Sequence, residues 1–166
     1  MPYRQKESVS NFILDNWDTL NVSNGLLDML KQTPFVKRSN TLGKEIQFVK
    51  AEEVYDPRNN FLNGIFEKGC SCFPAEEFGR NEWLEKLAIL GLKNEIDKDT
   101  FMKCAREVEA RNDSAKAIIL FEYYSEHFAD FYNNSLEFIE IFRGLRCVPG
   151  LLNDASISLY KFDEVA

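Results

Sequence analysis

The chain has 166 residues, 45% hydrophobic and 28% charged, and its 14 Phe, 6 Tyr and 2 Trp can fill a sizeable core. A net charge of −7 with scattered Lys and Arg opposes phosphate backbones and anionic lipid, which excludes nucleic acid as an expected partner. No apolar run approaches the roughly 20 residues needed to cross a bilayer, so no membrane partner is expected either.

The opening residues, MPYRQKESVSNF, lack the apolar core of a secretory signal. Cysteines at 70, 72, 104 and 147 are too sparse for a disulfide framework and fit free thiols in a reducing compartment. A cytoplasmic protein is expected. Residues 3–20 place Val9, Phe12, Ile13, Trp17 and Leu20 on one helical stripe. Ser23 can cap a second helix holding Leu26, Leu27 and Leu30, which Pro34 ends. Phe35-Val36 and Ile46–Val49 flank the polar link SNTLGKE, predicting a small hairpin.

In KAEEVYDPRNNFLNGIF, Asp56 is read as a helix N-cap and Pro57 as the first helical residue. Phe61, Leu62, Ile65 and Phe66 then share the buried face. Arg58 is left either to pair with a neighbouring carboxylate or to face a partner. Phe73-Pro74 opens a short AEEF turn, and Gly79 breaks it. Asn81 is read as the cap of EWLEKLAIL, which buries Leu84, Leu87 and Ala88 with Trp83 at its flank. Gly91 suits the left-handed position after it, with Leu92 packing back.

Asp97 caps a helix bearing Phe101, Cys104, Ala105 and Val108 at core spacing. Asp113 or Ser114 begins what reads as the longest helix, with Ile118, Phe121, Tyr124, Phe128 and Phe131 as buried candidates. Asn133-Asn134 is a turn, Ser135 starts a helix through Phe138, Ile139 and Phe142, and Pro149-Gly150 marks another turn. The fold class expected is α-dominated α+β: a helical module with one or two small β-hairpins.

One internal echo stands out. LLDMLKQTPFV (26–36) matches FIEIFRGLRCV (138–148) at an offset of 112, and VKAEEVY (49–55) matches YKFDEVA (160–166) at 111. Either two amphipathic helices with following strands look alike by chance, or the chain carries a domain-sized unit whose second copy has begun. The second reading divides it into an N-terminal helix (1–23), one repeat unit (24–137) and the start of another (138–166). It also makes the chain a fragment of something longer, ending where Asp-Pro-Arg would be due.

The order of motifs over about residues 24–111 resembles the repeat regions of sacsin-like proteins: an apolar helix, then PFV, YDPR, FP-x-x-x-F, WLEKLAILGLK and FMKCAREVE. Those are very large cytosolic chaperone-type scaffolds whose repeats pair a GHKL-class ATPase domain with helical regions. The Asn-bearing helix and D-x-G-x-G loop of that ATPase have no counterpart here. Asn24-Gly25 and Asn63-Gly64 come nearest, without the acidic residue or second glycine. The resemblance therefore implies a non-catalytic scaffold segment with no cofactor. Its partners would be other proteins: folding clients, co-chaperones or neighbouring domains of the same chain.

Several residue sets could carry chemistry. Cys70-Ser71-Cys72 is too closely spaced for a zinc site and has no second pair, so a structural role is read for it. Glu52-Glu53, Glu76-Glu77 and Glu107/Glu109 suit helix starts or solvated faces. Gly43-Lys44 lacks P-loop spacing. Cys104 and His127 on successive helices could form a thiol–imidazole dyad, the enzyme alternative. Arg58, Tyr123 and Tyr132 are the candidate partner contacts. Asp56, Pro57, Pro74, Trp83 and Gly91 are read as structural. A small autonomous adaptor binding a partner helix or tail is the remaining alternative.

Overall fold

The structure, a computed structural model, describes residues 3–20, 24–39, 45–132, 136–151 and 156–165, with backbone alone at 3, 24 and 132. Among these residues run α1 (Tyr3–Asn16), α2 (Asn24–Gln32), β1 (Val36–Lys37), β2 (Phe48–Val49), α3 (Asn60–Ile65), α4 (Asn81–Ile89), α5 (Lys98–Arg111), α6 (Ser114–Glu126), α7 (Phe128–Tyr132), α8 (Leu136–Gly144), β3 (Val148–Leu151) and β4 (Ile157–Tyr160). Short 3-10 turns lie at Trp17–Thr19, Ala51–Glu53, Glu76–Phe78 and Phe162–Glu164. The fold is α-dominated α+β, with two antiparallel two-stranded sheets. It divides into two compact units: Met1–Asn59 with Lys68–Asn94, and Asn60–Glu67 with Glu95–Ala166.

In the first unit, Ile13, Trp17, Leu30, Phe35, Val54, Phe78, Trp83, Leu84 and Leu87 form one apolar core. Trp83 meets Trp17 edge-on at 5.5 Å and Phe78 at 5.9 Å. It is a core residue, and Lys86 Nζ sits 4.8 Å over its ring. Phe12, placed on the α1 stripe by spacing, is exposed, while Ile13 and Trp17 are buried.

The end of α4 follows the glycine rule. Gly91 has φ +102, its N–H donates to Ala88 O at 3.1 Å, and Leu92 N–H reaches back to Leu87 O at 2.9 Å. Leu92 is buried against the last turn, as a Schellman motif requires. The start of α4 departs from expectation. Arg80 occupies the cap position with no side-chain bond, Asn81 is the first helical residue, and Ala88 is exposed.

Asp56-Pro57 also departs from its sequence reading. The helix begins at Asn60, and Asp56 instead closes a tight turn, its carbonyl accepting from Asn59 N–H at 3.1 Å. The Asp56 carboxylate accepts from the Arg58 amide at 2.9 Å, an Asx-type turn that competes with helix initiation. The expected face of α3 is correct, with Phe61, Leu62, Ile65 and Phe66 all buried.

The second unit is built on α5 and α6. Asp97 accepts from Thr100 N–H at 2.7 Å, and Asp113 accepts from the amides of Ala115 and Lys116. Both caps agree with the sequence reading. Phe101, Cys104, Ala105 and Val108 are all fully buried. Asn112, at φ 50, turns the chain from α5 into α6. The helix after Asp113 ends at Glu126, so at 13 residues it is shorter than α1 and α5, each of 14. Along α6 and α7, Ala117, Leu120 and Phe131 are buried, whereas Ile118, within α6, and Phe128, just past the break at His127, are exposed. Ser23, Gly43-Lys44, Asn133-Asn134 and Ser135 lie outside the described residues.

Pro149-Gly150 is not a turn but the middle of β3, paired with Leu159 and Ser158. Gly150 is needed because the Tyr160 ring lies where a Cβ would stand, 2.7 Å away. The order helix, strand, strand, 3-10 turn thus occurs once in each unit. α2 and α8 both have nine residues, starting at 24 and 136. Val36 pairs with Val49 as Val148 pairs with Tyr160. In the following turns, the Glu53 carboxylate accepts from Lys50 N–H at 2.9 Å and the Glu164 carboxylate from Lys161 N–H at 3.0 Å.

Candidate functional site

The candidate dyad places its thiol in the core of the second unit. Cys104 is fully buried, and burial, reinforced by Glu107, pushes its thiol up to about 12. A reactive cysteine needs the opposite, an exposed thiol with a lowered pKa. The His127 ring stacks on Tyr123 at 4.1 Å, and its Nδ1 lies 3.0 Å from Tyr123 O. Burial likewise pushes Cys147 up to about 12. The stability these two protonated thiols contribute is full below their ordinary value near 9 and is lost as pH rises towards 12, because the unfolded chain gives up those protons first.

Treating the native protein with iodoacetamide at pH 7.5 should therefore modify Cys70 and Cys72, which are half-buried, and spare Cys104 and Cys147. Mass spectrometry before and after unfolding reads the difference. Native labelling of Cys104 would reopen the enzyme reading.

The candidate partner residues separate. Arg58 takes the first of its two options: Nε and Nη2 bind the Asp56 carboxylate at 3.0 and 2.8 Å. That bond is the main reason its pKa lies above the ordinary guanidinium value. Tyr123 is half-buried, stacked on Phe61 at 4.1 Å, and burial raises its phenol. Tyr132 ends α7, and its side chain lies outside the described residues. The carboxylate pairs serve local structure: Glu53 holds its turn, Glu77 meets Lys37 at 3.0 Å, Glu107 pairs with Arg111, and Glu109 accepts from Arg146 N–H at 2.9 Å. Among the described residues, no group of three or more His, Cys, Asp or Glu could hold a metal, and no helix is long and apolar enough to cross a membrane.

What the sequence reading missed is a strand edge. In the first unit, β1 is used on both sides. Toward β2, Arg38 N–H donates to Gln47 O at 2.9 Å. Toward the other side, Ser39 N–H donates to Phe73 O at 2.9 Å and Ala75 N–H to Lys37 O at 2.8 Å, so Phe73-Pro74-Ala75 lies along β1 as a third strand. Pro74 falls where no N–H is needed, and it is buried. Arg38 Nη1 extends the clasp to Ser71 O at 3.2 Å. Behind it, Phe78 and α4 cover Val54, which has no exposure at all.

In the second unit the corresponding residues are Pro149, Gly150 and Leu151. Pro149 carries no N–H to donate to a neighbouring strand. Among the described residues, no third strand lies on this edge. Leu151 is 76% exposed, and Val165, the counterpart of Val54, is 48% exposed. Among the described residues, half of the exposed large apolar side chains (Leu136, Ile141, Leu151, Ile157 and Val165, of ten) lie between 136 and 165. The 112-residue echo was the signal that could have located this edge, since it sets 149–151 opposite 37–39.

Comparison of the chain with family models, with curated proteins and with solved structures finds no match.

Proposed function

We propose that this chain is a non-catalytic, protein-interacting scaffold segment of the sacsin-like kind, made of successive helix–hairpin units. The observation that carries this reading is the recurrence of α2, β1, β2 and their turn as α8, β3, β4 and theirs, at the same spacing and strand register. Corresponding core positions keep their character: Leu30 and Phe142, Phe35 and Cys147, and Phe48 and Leu159 are all buried. Such a unit works by presenting surface, which agrees with the apolar side chains left uncovered around the second hairpin. Its partners are then other proteins, in the cytoplasm.

The test is the size of the native protein in extracts of its own cells, by immunoblot with an antibody raised to this segment. A band of several hundred kilodaltons is expected for a sacsin-like scaffold. A band near 19.3 kDa would overturn that reading in favour of a small autonomous adaptor.

A further inference from the structure

We infer that Cys70 and Cys72 form a redox site: a dithiol that closes to a disulfide within its own turn by exchange with a small-molecule disulfide of the glutathione type, and reopens when thiol is in excess. The backbone builds the turn. Phe73 N–H donates to Cys70 O at 3.0 Å, which leaves Ser71 and Cys72 at its centre. Such a turn folds the Cα atoms of its first and third residues to about 5.5 Å, inside the roughly 4.4–6.8 Å that a disulfide spans. Cys70 Sγ already lies against the second cysteine, accepting from Cys72 N–H at 3.4 Å. Both residues are half-buried and Ser71 between them is exposed, so a small disulfide has the access that burial denies it at Cys104 and Cys147.

The first unit holds this turn at each of its next three carbonyls. Arg38 Nη1 donates to Ser71 O at 3.2 Å, Tyr55 N–H to Cys72 O at 2.9 Å and Ser39 N–H to Phe73 O at 2.9 Å. Closure therefore asks for rotation of two side chains on a backbone already in place, and each sulfur meets the other at a high effective concentration. One thiolate attacks the small disulfide, forms a mixed disulfide and expels one thiolate of the reagent. The other cysteine sulfur then attacks the protein sulfur of that bond and expels the second. The two protein thiols give up two protons and two electrons, which the reagent takes away as two thiols. A loop of one intervening residue gains little from cross-linking, so the bond is a reversible one.

The inference goes beyond the scaffold reading and holds equally for a small adaptor. The full chain, reduced and freed of reductant, is incubated with glutathione disulfide at pH 7.5, quenched with iodoacetamide and mapped by peptide mass. The expected product is a peptide spanning residues 70–72 that lacks two hydrogens, carries neither label nor glutathione, and regains both thiols in dithiothreitol. Cys70→Ser and Cys72→Ser separate the two steps. Each keeps one thiol, so each should hold glutathione as a lasting mixed disulfide, at about tenfold or more the level on the wild-type turn. Circular dichroism checks that each variant folds, and either one suffices. In urea, where the turn is lost, closure should need about tenfold more glutathione disulfide.

A wild-type chain that keeps both thiols, holds glutathione without closing, or joins a second copy through Cys70 or Cys72 overturns the inference. Folded single variants that carry no more glutathione than the wild type do the same. Equal closure in the native and the urea-unfolded chain also overturns it, because the turn would then contribute nothing.

Discussion

Replacing Phe101 by alanine is expected to cost the unit formed by residues 60–67 and 95–166 about 3–5 kcal/mol, the usual loss for a deeply buried phenylalanine. The ring has no exposure and lies 4.6 Å from Phe131, 5.3 Å from Phe142, 5.8 Å from Tyr124 and 6.3 Å from Phe61, centre to centre. Four helices therefore line the space it would vacate, and stiff aromatic rings collapse poorly into a hole. Against a total stability of about 5–15 kcal/mol, such a loss is close to unfolding. Phe128→Ala is the internal control: that ring is 45% exposed, and its removal should cost about 1 kcal/mol or less. Urea denaturation followed by circular dichroism reads both. Similar midpoints for the two variants would mean that Phe101 is not the centre of the cluster.

The pair also shows what the sequence can reveal. Both phenylalanines sit at core spacing, but only one is in the core. Phe101 belongs to a helix with a strong cap at Asp97 and an uninterrupted 3.6-residue pattern, so its face is fixed locally. Phe128 follows the break at His127, and a helix interrupted there carries its register no further. Asp113 and Gly91 were legible for the same reason as Asp97: each acts on amides or carbonyls a few residues away. Pro149-Gly150 was not. The residue that makes a glycine necessary there is Tyr160, across the hairpin, and a dipeptide that usually turns a chain was kept in a strand by a ring ten positions on.

The candidate interaction site was legible only in outline. The echo between 26–36 and 138–148 was visible in the sequence, but nothing in it tells that Phe73-Pro74 lies along β1. That contact joins segments more than 30 residues apart through main-chain atoms, which leave no residue signature. Tyr123, in turn, was a candidate partner contact by sequence and is half-buried in the structure. Phe61 of α3 takes one side of its ring and His127 stacks on it as well.

Arg58→Ala is expected to destabilise the first unit by about 3 kcal/mol, more than Asp56→Ala does. The asymmetry comes from burial: the Asp56 side chain is 4% exposed and that of Arg58 is 40% exposed. Removing Arg58 leaves a buried carboxylate held by the backbone amide of residue 58, whereas removing Asp56 leaves a cation that water can reach. Breaking a buried pair from the charged side that stays inside costs about 3–5 kcal/mol, and the partial exposure of Arg58 sets the lower end. Asp56→Ala should cost about 2 kcal/mol, through the lost turn and its amide bond. The backbone around Asp56 gives either change leverage, because Asp56 N–H donates to Lys93 O at 2.8 Å and Lys93 N–H to Val54 O at 3.1 Å, tying the turn to the chain beyond α4. The double variant should match Asp56→Ala alone, since without the carboxylate the guanidinium has nothing to neutralise, and this double-mutant cycle isolates the pair. The same measurement decides what Arg58 is for. If Arg58→Ala leaves the urea midpoint where it was, the residue is a surface contact kept for a partner, and its bond to Asp56 is incidental.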